Sequence, residues 1–155
     1  MAEVKPIPDD YRTVTPYLCV DDATAAIDFY TRVFGAKERM RMPAPDGRIG
    51  HAELTIGDSV LMLSDEYPEM EIRGPKSIGG TAVTLSIYVE HVDDVVARAV
   101  KGGAKVRRDV QDQFYGDRSG QIEDPFGHVW SVQTHVEDVS PDEMQRRAAA
   151  AMGGS

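Results

Sequence analysis

The reading of the fold turns on VDDATAAIDFYTRVFGAK at residues 20–37 and its echo, VEHVDDVVARAVKGGAK, at residues 89–105. In the first string Asp21 and Asp22 stand where a helix needs side-chain oxygens for its first free N–H groups. Ala26, Ile27, Tyr30, Val33 and Phe34 then fall at helical spacing, and Gly35 supplies the stop. The second string predicts a helix over 92–100, ended by Gly102 and Gly103.

Working outward, residues 13–20 alternate. Val14, Pro16, Leu18 and Val20 share one face and Thr15, Tyr17 and Cys19 the other, which predicts a half-buried strand. Beyond the first helix, residues 37–42 read as a short strand. The turn signal Pro43-Ala44-Pro45-Asp46-Gly47 follows. Residues 51–56 and 59–64 then form a hairpin about Gly57 and Asp58. The same order recurs as strands over 82–89, 105–110, 119–123 and 128–133. Val20 precedes Val89 by 69 residues, Ala36 precedes Ala104 by 68, and Gly57 precedes Gly127 by 70. A spacing held this closely over strand, helix and hairpin marks an internal repeat.

The expected fold class is therefore α+β, with two tandem βαβββ modules and a short C-terminal helix. The expected organisation is an N-terminal extension (1–12), a single domain (13–135) and a helical tail (136–155). Within the domain, module 1 is 13–65, a linker without period is 66–80, and module 2 is 81–135. The tail helix opens on the capping box Ser140-Pro141-Asp142-Glu143.

The chain has 155 residues, a formal net charge of −9 and a 41% hydrophobic fraction, enough for a real core. Its acidity disfavours nucleic acid and anionic lipid as partners. No apolar run reaches membrane-spanning length, and the opening residues Met1-Ala2-Glu3-Val4-Lys5-Pro6 hold no signal-peptide core. The single cysteine, Cys19, fits a reducing compartment, so a cytoplasmic protein is expected.

Several strings resemble the vicinal-oxygen-chelate superfamily, the glyoxalase, bleomycin-resistance and dioxygenase group. Ile27-Asp28-Phe29-Tyr30 with Phe34-Gly35-Ala36 is similar to that family's first helix. Glu123-Asp124-Pro125-Phe126-Gly127-His128 resembles the Asp-Pro-x-Gly turn before its last strand. His51-Ala52-Glu53-Leu54, Leu63-Ser64-Asp65 and Phe114-Tyr115-Gly116-Asp117-Arg118 look most like the PhnB-like branch, whose members are often labelled 3-demethylubiquinone-methyltransferase-like. The resemblance spans about residues 13–133. It implies four-stranded cups with helices outside, and a homodimer.

It also implies one divalent metal held by His or Glu on the first and last strand of each module. Those positions fall here at Thr15, Met62, Thr84 and Ser131. Hydroxyls and a thioether are poor donors to a hard or borderline cation. No cofactor is therefore expected, and a divalent metal only at a non-standard site.

The strand faces opposite the apolar ones carry hydroxyls, amides and ionisable groups, which suits a pocket for a small, partly polar molecule. Thr15, Met62, Thr84 and Ser131 belong to that lining. His51 and Glu53, two apart on one strand, point the same way. They form an acid/base pair, half of a relocated metal site, or an internally paired duo on an edge strand. Arg118 offers a bidentate grip on a ligand carboxylate with Asp117 orienting it and Tyr115 beside it, or else a turn brace. Trp130 falls on the core side by parity. Two functions follow: a metal-independent binding protein for a small molecule, or a lyase- or isomerase-type enzyme working at His51, Glu53 and Arg118.

Overall fold

The computed structural model describes residues 3–153. The chain divides into two compact units, one ending at Gly80 and the other beginning at Thr81.

The first unit runs β1 (Tyr17–Val20), α1 (Ala23–Phe34), β2 (Lys37–Pro43), β3 (Ile49–Ile56) and β4 (Ser59–Asp65). Its four-stranded sheet has the order β1-β4-β3-β2, with β1 parallel to β4 and the other neighbours antiparallel. Asp22 caps α1 through its side chain, which accepts from the Ala25 N–H at 3.0 Å. Gly35 closes it at φ 69°, a conformation that costs glycine nothing. Ala26, Ile27, Tyr30 and Val33 of α1 are buried, as are Leu18, Ala52, Leu54, Leu61 and Leu63 of the strands. Alternation puts those strand residues on one face, so α1 seals that face and leaves the other to different uses. Burying one such leucine stabilises by about 1.5–3 kcal/mol. Residues 66–80 hold a 3-10 turn at Pro68–Met70 and the short helix α2 (Pro75–Ile78), and they belong to this unit.

The second unit repeats the plan with β5 (Thr84–Tyr88), α3 (Val92–Lys101), β6 (Lys105–Asp112), β7 (Asp117–Glu123) and β8 (Val129–His135), ordered β5-β8-β7-β6. The tail helix α4 (Pro141–Gly153) follows, its Ser140 hydroxyl accepting from the Glu143 N–H at 3.2 Å. Two βαβββ sheets with a C-terminal helix make this an α+β fold, as the repeat predicts.

The Asp-Pro-x-Gly turn has a concrete task here. Asp124, 3% exposed, accepts from the Phe126 and His128 N–H groups at 2.9 Å each and from the Trp130 indole at 2.9 Å. That anchors the turn into β8 and places Trp130 in the core, where parity put it. Among the described residues no helix is long and apolar enough to cross a membrane.

Candidate functional site

Three expectations are corrected by position. Thr15 is not on the first strand. Pro16 has no N–H to give a ladder, so pairing begins at its carbonyl, which accepts from Met62 N–H at 3.0 Å. Thr15 instead turns its hydroxyl back to the Arg12 carbonyl. His51 and Glu53 are not on an edge strand, because β3 lies between β4 and β2. Asp117 does not orient Arg118, since neighbours on β7 point to opposite faces.

The Arg118 guanidinium is instead held by Asp93, with bonds of 2.8 and 3.0 Å, and by Asp112 at 3.2 Å. The two carboxylates hold it firmly in its charged form. Asp117 is buried and accepts from the Tyr88 hydroxyl at 2.8 Å, with His135 Nδ1 also at 2.8 Å. Tyr115 lies in the turn before β7, edge-on to Phe114. Thr84 opens β5 opposite Val129, and Ser131 sits mid-β8 opposite Ser86. Ser131 donates to Gln133 Oε1 at 3.1 Å, and Gln133 donates to the Ser86 hydroxyl.

The first unit concentrates its chemistry on the sheet face away from α1. Register puts Tyr17 opposite Met62, Met62 opposite Glu53, and Glu53 opposite Met40, so these four share that face. Met42 lies opposite His51 on the same face. Glu53 is only 4% exposed, yet it has partners on both oxygens. Tyr11 donates from its hydroxyl to Oε1 at 2.5 Å, and His51 Nε2 stands 2.8 Å from Oε2. Arg39 Nε adds an ion pair at 3.8 Å, its guanidinium lying 5.0 Å over the Tyr11 ring. On the other side of His51, the Tyr17 hydroxyl is 2.8 Å from Nδ1.

These contacts fix the direction of the chain. A carboxylate can only accept, so a neutral His51 carries its proton on Nε2 and gives it to Glu53. Nδ1 is then an acceptor, and Tyr17 donates to it. Burial alone raises the Glu53 carboxyl, but the Tyr11 and His51 hydrogen bonds and Arg39 outweigh it and hold it below the usual carboxylate range. The hydrogen bond to Glu53 raises the Tyr11 phenol. Burial raises the Tyr17 phenol, partly offset by the Ser64 hydroxyl beside it. Tyr17 nevertheless remains 52% exposed, the most open member of a chain whose His51 side chain is 23% exposed.

Residue spacing singled out His51 and Glu53 but missed Tyr11 and Arg39, and it placed Tyr17 on the right face without a role. Tyr11 arrives from the non-periodic extension, 42 residues from its partner. Arg39 occupies a β-bulge: Glu38 pairs with Leu54 and Met40 with Glu53, leaving Arg39 as the extra residue. The second unit repeats this device, where Arg107 is skipped between Val106 and Arg108 and pairs with Glu123 at 3.3 Å. That recurrence was the one available signal.

The metal that the fold family implies does not fit the residues present. Thr15, Met62, Thr84 and Ser131 offer neutral or soft donors. At His51 and Glu53 both ring nitrogens and both carboxylate oxygens already have protein partners. Among the described residues no group of three His, Cys, Asp or Glu side chains is placed to hold a metal ion.

Fold and site together define a duplicated βαβββ protein with one polar cluster on its first sheet. The chain belongs to the Glyoxalase/Bleomycin resistance protein/Dioxygenase superfamily, whose family model matches residues 12–132. Two mycobacterial relatives, Mb0911c of Mycobacterium bovis and Rv0887c of Mycobacterium tuberculosis, are 45% identical to it over 135 residues. The match takes in 85% of this chain and 89% and 79% of those proteins. The crystal structure of TioX from Micromonospora sp. ML1 is similar at 30% identity and a TM-score of 0.62, over 79% of this chain and 97% of TioX. The PhnB protein from Bacillus cereus shares the fold at 18% identity and a TM-score of 0.65, over 79% of this chain and 99% of that one.

Proposed function

We propose that the chain binds a small polar organic molecule on the first sheet's face away from α1, with Tyr17 and Met62 touching it and His51 and Glu53 behind them. The observation that carries this reading is the Tyr17–His51–Glu53 chain, which ends in a half-exposed tyrosine on the face that also carries Met62 and Met42. Methionines are soft, adaptable walls, and a few fixed polar groups among them suit a small-molecule site. The first unit is favoured because Arg118, the candidate ligand-holding cation of the second, is already neutralised by two aspartates. Thr15, Thr84, Ser131 and Tyr115 have no part in it.

A second reading is acid/base catalysis at the same residues, favoured by the direct 2.8 Å contact of His51 with Glu53. The proposal further takes the protein to be a cytoplasmic homodimer. Light scattering behind a sizing column is expected to give twice the 17.0 kDa chain mass.

The test is a thermal-shift screen of small metabolites and antibiotics on the wild type, Tyr17→Ala, His51→Ala and Arg118→Ala. A compound at a hundred times its Kd stabilises by about 2.7 kcal/mol. Hits are expected to keep that shift in Arg118→Ala and to lose it in Tyr17→Ala. Hits that survive both Tyr17→Ala and His51→Ala, or that vanish only in Arg118→Ala, contradict the assignment.

A further inference from the structure

The cluster has an asymmetry that binding alone does not require. Its inner end is a buried carboxylate kept ionised by Tyr11 and Arg39, and its outer end is an exposed phenol. Between them His51 is positioned to accept a proton on Nδ1 while its Nε2–H stays on Glu53. An imidazolium formed there meets its counter-charge at 2.8 Å without any side chain moving. The geometry is that of a proton sink whose most exposed member is Tyr17.

We infer that Tyr17, His51 and Glu53 form a proton relay, and that the ligand of this face is a weak O–H acid of the phenol or enol type, bound as its anion. This rests on the first-sheet binding face proposed above and names the chemistry of its occupant. The ligand O–H bond breaks and its proton goes to Tyr17 Oη. The Tyr17 hydroxyl proton passes at the same time to His51 Nδ1. The products are a ligand oxyanion, a neutral Tyr17 and an imidazolium on Glu53, so atoms and charge balance with no co-reactant. Tyr17 then donates to the oxyanion, a charge-assisted bond stronger than the neutral one it replaces. Met62, opposite Tyr17, and Met42, opposite His51, lie on the same face and offer a conjugated ring polarisable contacts.

The groups that set the proton's position are all at hand. Tyr17 and Glu53 face His51 directly, and Tyr11 and Arg39 face Glu53, with Asp10 on Arg39. Cys19, Ser64 and Tyr67 lie around Tyr17. At the matching position of the second sheet Ser86 stands opposite Ser131, and among the described residues the nearest counterpart there is differently ordered: the Tyr88 hydroxyl donates straight to Asp117, with His135 on the carboxylate's other oxygen.

The probe is 4-nitrophenol, whose anion is coloured and whose acid is not. It is titrated with the protein at the phenol's own pKa, which lies above the ordinary imidazole value of about 6.5, so that an imidazole nitrogen is still free to accept. Wild type is expected to raise the phenolate band saturably, with ¹⁵N NMR showing His51 Nδ1 become protonated in step. Tyr17→Phe, an exposed change that leaves the core intact, is expected to cut the phenolate produced at least tenfold. In His51→Asn the colour change is expected to disappear, with the fold checked by circular dichroism. Saturable binding without colour, or colour without protonation of His51, overturns the relay while leaving the binding face standing. Undiminished colour in Tyr17→Phe overturns the relay as well. No saturable binding of the phenol, with other compounds still bound through Tyr17, overturns the ligand class alone.

Discussion

Replacing Glu53 by Gln probes the cluster at its most constrained point. The side chain keeps its shape and loses its charge. One amide oxygen remains to accept from Tyr11, turning a charge-assisted bond into a neutral one at a cost of about 1 kcal/mol. The amide nitrogen faces His51 Nε2, so that 2.8 Å bond fails unless the ring moves its proton to Nδ1. The lost bond to a group only 4% exposed costs about another 1.5 kcal/mol. Relief from burying a charge returns part of this, leaving a net loss of about 1.5 kcal/mol near neutral pH.

For a chain of this size that corresponds to a fall in Tm of about 3–6 °C. The pH dependence carries a definite sign. The folded carboxyl lies below its unfolded value, so its contribution is present above the unfolded pKa and is lost as pH falls through the folded one. The gap between wild type and Glu53→Gln should therefore narrow steadily as the pH is taken down through the carboxylate range. Calorimetry at several pH values measures it. A gap that stays constant or widens on acidification refutes the reasoning, as does a Tm equal to that of wild type at neutral pH.

Two further outcomes are expected. Asp124→Asn turns an amide toward the buried Trp130 indole N–H, donor against donor, and should cost about 2 kcal/mol by urea denaturation; a neutral result removes the turn-anchoring role of the Asp-Pro-x-Gly motif. The Cys19 thiol is pushed up to about 11, first by its burial and then by Glu66 and Asp65, so at pH 8 it should react with iodoacetamide roughly a hundredfold more slowly than a free cysteine, followed by mass spectrometry.

Much of the fold was legible because its signals are local. Asp22, the α1 apolar stripe and Gly35 declare a helix within fourteen residues, and the repeat multiplies every such signal by two. His51 and Glu53 were legible for the same reason, since two residues along a strand always share a face. What completes their site is not local. Tyr11 reaches Glu53 from an extension without period, and Arg39 does so through a bulge that breaks the parity on which face assignments rest. The Asp117–Arg118 pair misled for the converse reason. Adjacency in sequence suggested partnership, while the pleat sends the two side chains apart and leaves Arg118 to Asp93, 25 residues away.

The methionines allow the most direct test of where the ligand sits. Met40, Met42 and Met62 share the proposed face, whereas Met70, Met144 and Met152 lie in a 3-10 turn and along α4. With the methionine methyl groups labelled with ¹³C, titrating a compound that passes the thermal-shift screen is expected to shift the Met42 and Met62 signals, with Met40 following. Shifts confined to Met70, Met144 or Met152 would contradict the account.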